Sequence, residues 1–217
     1  MPRWELVIFD NDGVLVDSER LANSVLASLL EDYGWSLGEA GCVQRFLGTS
    51  LAEVRADAEA HLGLRLPDDF EDRYHRALFG AFPTELTAIP FAGEAVDRVA
   101  GAGSQVCVAS SGSRARIRMA LRVTGLADRF DDRLFSSEDV GAGKPAPDLF
   151  LTAARTLGMT PRACAVVEDS PLGVAAARAA GMQSFAYAAR TPADALAGAD
   201  AVFTDMRELP ALLGVPA

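Results

Sequence analysis

Two pairs of acids stand directly behind apolar runs: Asp10 and Asp12 in LVIFDNDGV, and Glu168 with Asp169 in AVVEDSPLG. Carboxylates that close must repel, share a proton or hold a positive charge between them. Asp-Asn-Asp-Gly also has a plain reading as turn or cap chemistry. In VVEDS the helix cap needs only Ser170, with Pro171 at the first helical position, so Glu168 and Asp169 stay unexplained by capping. Two further stretches offer the complementary chemistry. VCVASSGS ends an apolar run in Ser110, Ser111 and Gly112. Hydroxyls and free N–H groups at a helix start suit a phosphate, or simply cap the helix at Ser113. GAGKPAPDLF carries Lys144, the only lysine of the chain, between Gly143 and Pro145. A lone Lys is ordinarily a solvated surface group. In this rigid setting its compact charge can neutralise a carboxylate and a phosphoryl oxygen together.

Taken together, the four stretches favour chemistry over capping. Three or four carboxylates at adjacent strand ends would repel strongly in a partly buried crevice. A hard divalent cation relieves that repulsion, and all-oxygen ligation with retained waters suits Mg²⁺. Hydroxyls, backbone donors and one Lys beside such a cation fit phosphoryl transfer. No Ser-His-Asp set is evident, since His61 and His75 both fall among residues 18–88, and there is no Walker-type loop. A carboxylate is then the expected nucleophile, forming an aspartyl-phosphate.

The elements that must position these groups follow from periodicity. ELVIFD, QVCVAS, RLFSSE, ACAVVED, QSFAYA and DAVFTD read as strands; SRARIRMALRVTG, PDLFLTAARTLG, SPLGVAAARAAG and MRELPALLG between them read as helices. The alternation predicts an α/β fold, a doubly wound Rossmann-like parallel sheet with its ligand crevice at the carboxyl ends of the strands. Residues 18–88 break the rhythm with amphipathic helices such as ERLANSVLASLLEDYG and no convincing strand. The expected organisation is a catalytic core of residues 1–17 and 89–217 with an inserted all-helical cap of residues 18–88. Such a cap would overhang the strand ends as a lid; the alternative is one more helical layer of a single domain.

Composition bounds the partners. A net charge of −10, with Arg scattered among more numerous acids, argues against nucleic acid and fits a small phosphorylated metabolite drawn in by local groups. Cys42, Cys107 and Cys164 lie far apart without metal-ligand spacing, as free thiols of a reducing compartment do. No apolar run is long enough for a signal peptide or a membrane span, so a cytoplasmic protein is expected, with a monomer favoured.

DNDG, the serine after the second strand, the Lys of GKPAP and the VVEDS stretch, in that order, resemble the four motifs of the haloacid dehalogenase-like (HAD) hydrolase superfamily. FDNDGVLVDSE, GKPAPDLF and VVEDSPLGVAAARAAGM resemble its helical-cap branch, which holds β-phosphoglucomutase, phosphoglycolate phosphatase and 6-phosphogluconate phosphatase-like sugar-phosphate phosphatases. The resemblance covers essentially the whole chain. It implies that Asp10 is nucleophile and metal ligand, and that Asp12 is general acid/base and ligates the metal through its carbonyl. Ser110, with the N–H groups of Asn11, Asp12 and Ser111, would grip the phosphoryl oxygens, and Lys144 would bridge Asp10 and phosphate. Asp169 would bind the metal directly, Glu168 directly or through water.

The resemblance also ranks activities. True haloacid dehalogenases lack a carboxylate at the position of Asp12, so phosphate-ester chemistry is expected rather than dehalogenation. Ala22 and Leu51 stand where β-phosphoglucomutase-like proteins carry a cap His and Arg, and residues 18–88 hold no Lys for phosphonate hydrolysis. A phosphatase is therefore expected. A phosphosugar mutase is the alternative, and a non-catalytic binding protein is disfavoured because binding has no use for Asp12. Gly48 in FLGTS matches the cap loop, which makes Leu47, Thr49 and Ser50 specificity candidates. Arg45, Arg55, Arg73, His75 and Arg76 are candidate contacts to a second anionic group, and HRALFGAFPTELTAI resembles 6-phosphogluconate phosphatase-like members. A sugar or sugar-acid phosphate is the expected substrate.

Overall fold

The run Leu6-Val7-Ile8-Phe9 is buried at every position, as a strand covered on both faces of a parallel sheet must be. The computed structural model describes residues 3–46, 49 and 51–216. Six strands form one sheet: β1 (Leu6–Phe9), β2 (Gln105–Ser110), β3 (Leu134–Ser136), β4 (Cys164–Glu168), β5 (Gln183–Tyr187) and β6 (Ala201–Phe203). Their spatial order is β3-β2-β1-β4-β5-β6, and every pairing is parallel. The chain winds outward to β3, then crosses over β1 to wind the other way, which is the doubly wound architecture expected. Phe9 lies opposite Val108 of β2 and Val167 of β4. Asp10, Ser110 and Glu168 therefore leave the sheet together at its carboxyl edge, beside the switch in strand order where such folds open a crevice.

Two compact units make up the molecule: one holds the chain up to Asp17 and again from Thr87, the other is Ser18–Leu86. The core unit regains the chain slightly before residue 89 because the two connecting segments pair with each other. Asp17 N–H donates to Thr87 O (2.9 Å), Ile89 N–H donates to Leu15 O (2.9 Å), and Val16 bridges Ala88 in antiparallel fashion.

The inserted unit consists of α1 (Ser18–Asp32), α2 (Gly38–Phe46), α3 (Leu51–Leu62) and α4 (Phe70–Glu85). It has its own buried cluster, in which Leu26, Leu30, Trp35, Phe46, Val54 and Phe70 meet. The sheet is flanked by α5 (Ala92–Gly101), α6 (Arg114–Val123), α7 (Asp148–Thr156) and α8 (Pro171–Ala179), with a short α9 (Leu209–Leu212) near the end. Leu6 and Ile8 pack with Cys107, Val166, Phe150 of α7 and Ala177 of α8 in one core cluster. Each large apolar side chain so buried contributes about 1.5–3 kcal/mol. MRELPALLG, read as a full helix, is helical only over Leu209–Leu212, with Pro210 in its first turn; proline has no N–H to extend a helix toward the N-terminus. Among the described residues no helix is long and apolar enough to cross a membrane.

Candidate active site

The loop after β1 is closed on itself before any side chain acts. Asn11 O accepts from Leu15 N and Val16 N at 3.0 Å each, and Gly13 N–H donates to Val16 O at 2.9 Å. Asp10 N–H is tied across to Val167 O (2.9 Å), which locks its side chain beside the end of β4. Gly13 has φ +76°, and a Cβ there would collide with the Asp169 carboxylate. Only glycine lets these two loops approach so closely.

Lys144 joins the acids. Its Nζ donates to Asp10 Oδ1 (2.6 Å), Glu168 Oε1 (2.5 Å) and Ala109 O (3.3 Å). The Lys144 side chain is only 5% exposed and lies over the Phe150 ring, so the three charges meet in a dry setting. Burial pushes the Asp10 carboxyl up to about 7; Lys144 opposes that shift, while the charges of Glu168 and Asp12 add to it. For Lys144, burial pulls the ammonium down, but Asp10 and Glu168 outweigh it and leave it above its ordinary value.

Carboxylate oxygens of Asp10, Glu168 and Asp169 lie within 4.8 Å of one another. This all-oxygen trio fits a hard divalent cation such as Mg²⁺. Glu168 has other obligations. Its Oε2 accepts from Asp169 N, Ser170 N and Ser170 Oγ, each at 2.9 Å, while Oε1 holds Lys144. The carboxylate rests on Gly173, where a Cβ would overlap it. Ser170 caps α8 by accepting from Gly173 N (3.0 Å), with Pro171 in the first turn. Glu168 therefore ties β4, Lys144 and the start of α8 together.

Asp12 faces other partners. Its Oδ1 pairs with Arg116 Nη2 at 2.6 Å and its Oδ2 lies 3.5 Å from Ser110 Oγ, which itself accepts from Gly112 N at 3.1 Å. The loop after β2 is fastened to β3 on its far side. Ser136 Oγ donates to Gly112 O and Ser137 Oγ to Ser111 O, both at 2.7 Å. Ser113 caps α6, accepting from Arg116 N at 3.2 Å.

The structure thus brings Asp10, Asp12, Ser110, Lys144, Glu168 and Asp169 to one edge of the sheet. Ser111 is exposed beside Ser110. The Asn11 side chain is fully buried, and neither amide atom finds a hydrogen-bond partner among the described residues. Of the candidates in the helical unit, Leu47, Gly48 and Ser50 lie outside the described residues. Thr49 is exposed, and its hydroxyl donates to Phe46 O (2.8 Å). Arg45 pairs with Asp57 and stacks on Trp35.

Helical periodicity alone does not single out Arg116, although a signal exists. RARIR opens α6 with cations and no acid, whereas the positive end of a helix favours anions. A cation placed there against the dipole needs a local partner, and for Arg116 that partner is Asp12.

Residues 4–181 match the family model described as haloacid dehalogenase-like hydrolase. A 6-phosphogluconate phosphatase of Escherichia coli (strain K12) is 30% identical over 87% of this chain and 85% of its own length. A β-phosphoglucomutase of Mycobacterium bovis is 45% identical, over 52% of this chain and 46% of its own length. Among solved structures, a HAD family hydrolase from Deinococcus radiodurans R1, with bound phosphate and sodium, superposes with a TM-score of 0.88 at 33% identity, covering 100% of both chains. The chain belongs to the haloacid dehalogenase-like hydrolase family, and as an enzyme it stands with that family's phosphoric monoester hydrolases.

Proposed function

We propose that this protein is a Mg²⁺-dependent phosphatase that hydrolyses a small phosphorylated metabolite, a sugar or sugar-acid phosphate, through an aspartyl-phosphate on Asp10. The observation that carries the reading is the division of the site into two carboxylate settings. Asp10 is buried against Lys144 beside Glu168 and Asp169, while Asp12 stands apart with Ser110 and Arg116. Different surroundings give two acids different tasks.

Asp10 attacks phosphorus while Asp12 gives its proton to the leaving ester oxygen, releasing the alcohol. Asp12, now a carboxylate, takes a proton from water as that water attacks the phosphorus, and inorganic phosphate leaves Asp10 free. Lys144 offsets negative charge on Asp10 and on the transferring phosphoryl group. Ser110 Oγ and the N–H groups of Asn11, Asp12 and Ser111 orient the phosphoryl oxygens. Asp10 and Asp169, the Asp12 carbonyl, and Glu168 directly or through water would hold Mg²⁺. When bound it shields the charge between an anionic nucleophile and an anionic ester. Glu168, with both oxygens engaged by protein donors, favours the water-mediated arrangement. The buried free thiols of Cys42, Cys107 and Cys164 support a cytoplasmic setting.

Sugar phosphates are favoured by the likeness to the 6-phosphogluconate phosphatase. The partial likeness to a β-phosphoglucomutase favours a second reading, a mutase that yields isomer without net phosphate release. Both are tested by following phosphate release from a panel of phosphorylated metabolites, with Mg²⁺ and with EDTA, for wild type and Asp10→Asn. Release that needs Mg²⁺ and falls by on the order of 10⁴-fold in Asp10→Asn is expected. Turnover that survives Asp10→Asn overturns the mechanism, and isomer formed without phosphate points to the mutase.

A further inference from the structure

The pairing of Arg116 with Asp12 has no place in the steps above. Resting on the phosphatase reading, we propose that Arg116 is a positioning residue, holding the Asp12 carboxylate where it exchanges its proton with the leaving oxygen and then with water.

Three observations converge on it. First, the Asp12 carboxylate is engaged at both oxygens, Oδ1 by Arg116 Nη2 (2.6 Å) and Oδ2 by Ser110 Oγ (3.5 Å). Contacts at both oxygens fix the plane of a group that otherwise turns about two torsions. Second, Gly112 leaves room for the arrangement. A Cβ there would stand 3.4 Å from Arg116 Cδ, 3.5 Å from Ser110 Oγ and 3.8 Å from Asp12 Oδ2. The stem of Arg116, Ser110 and Asp12 thus close around one bare backbone position. Third, the arginines of RARIR divide their partners. Arg114 bonds Asp139 and Leu134 O, Arg118 reaches Asp132, and Arg116 turns to Asp12. Arg114 and Arg118 fasten the fold; Arg116 reaches the reacting groups through Asp12.

Proton transfer requires the acid within hydrogen-bond reach of the leaving oxygen, and loss of alignment by an ångström costs about 100-fold in rate. The dependence is greatest where the leaving group is a poor one. An alkoxide must be protonated as the P–O bond breaks, whereas p-nitrophenolate departs unaided.

First-turnover release of the leaving group is measured with Mg²⁺ for wild type, Arg116→Ala and Arg116→Lys, using 6-phosphogluconate and p-nitrophenyl phosphate as probes. Arg116→Ala is expected to slow the first turnover of 6-phosphogluconate about 100-fold, and that of p-nitrophenyl phosphate less than about threefold. Arg116→Lys, which keeps a cation near Asp12, is expected to regain part of the loss. Normal first turnover of p-nitrophenyl phosphate by Arg116→Ala also reports an intact fold. Equal slowing of both probes, or a rise in KM with unchanged kcat, overturns the positioning role. Failure of the underlying reading has a different signature: activity toward both probes that persists in Asp10→Asn while Arg116 is intact.

Discussion

The buried charges at the site of the core unit and the exposed ion pairs of the helical unit sit in opposite settings. In the core unit Lys144, Asp10 and Glu168 meet with side-chain exposures of 5%, 9% and 1%. In the helical unit most of the ion pairs among the described residues lie at the surface, Arg55–Glu59 being the more buried at 21% and 31%. Arg45 and Asp57 are 47% and 37% exposed, and Arg73 with Asp69 and Arg65 with Asp68 are similarly open. Exposed pairs add little to stability because water and salt screen them. A buried cluster costs its charges their hydration, which attraction repays only in part. Apolar residues of equal size would serve the fold at least as well at the three core positions. On the proposed function the buried charges of the site serve its chemistry, whereas the exposed pairs of the helical unit add only local helix pairing.

The largest effect should come from breaking the buried cluster unevenly. Lys144→Met leaves two buried carboxylates without their cation and is expected to lower unfolding stability by about 3–5 kcal/mol, read from denaturant midpoints. The variant Asp10→Asn/Lys144→Met/Glu168→Gln, which removes all three charges, should recover most of that stability while remaining inactive. If the single variant is as stable as wild type, the charges are better solvated than their burial indicates and the contrast between the units fails.

A smaller effect concerns how the cluster is seated. Gly173 lies within α8, where alanine is the better helix former by about 1 kcal/mol. Its missing Cβ is nevertheless the space occupied by the Glu168 carboxylate. Gly173→Ala should therefore destabilise by about 1–3 kcal/mol as an overpacked site. In a Glu168→Ala background, where the space is free, the same substitution should change sign and stabilise. Denaturation of the four proteins of this cycle measures the coupling. Additive effects would mean that Glu168 moves aside at no cost, and that the seat is not rigid.

Legibility from sequence divides along the same line. The strands were readable because β1 and β4 are uninterrupted apolar runs that stop at acids, and Ser170-Pro171 announces a helix start on its own. Asp10, Ser110 and Glu168 were readable because each follows or closes such a run, so their meeting is set by parallel register; Lys144 was readable because it is the only lysine, held between Gly143 and Pro145. The reach of Arg116, the role of Gly173 and the burial of the Asn11 amide were not. The pairing of Arg116 with Asp12 joins residues 104 apart in sequence, and helical periodicity places it on α6 without saying where its guanidinium reaches. Gly173 sits in a run of small residues, where a glycine looks like any other packing choice until the Glu168 carboxylate is seen against it. The buried amide of Asn11 carries no pattern at all. In the helical unit the amphipathic faces were legible, whereas the sequence carries no sign that Arg45, a candidate substrate contact, bonds Asp57 and stacks on Trp35.

The smallest effect belongs to that surface pair. Arg45 donates to Asp57 at two oxygens, and this hydrogen bonding holds the Asp57 carboxyl below its ordinary value. Such a carboxylate contributes stability that is complete above the unfolded-state value and is lost as pH falls through the lower folded one. Arg45→Ala should therefore lower the melting temperature at pH 7 by less than about 2 °C. The difference from wild type should shrink in high salt and, in acid once Asp57 is protonated in both states, fall to the part owed to the stacking of Arg45 on Trp35. Thermal melts of the two proteins across pH and salt supply the measurement. A shift that rivals Gly173→Ala, or one indifferent to salt, would mean that the helical unit depends on this pair as the core site depends on Lys144. The buried and exposed charges would then differ in degree and not in kind.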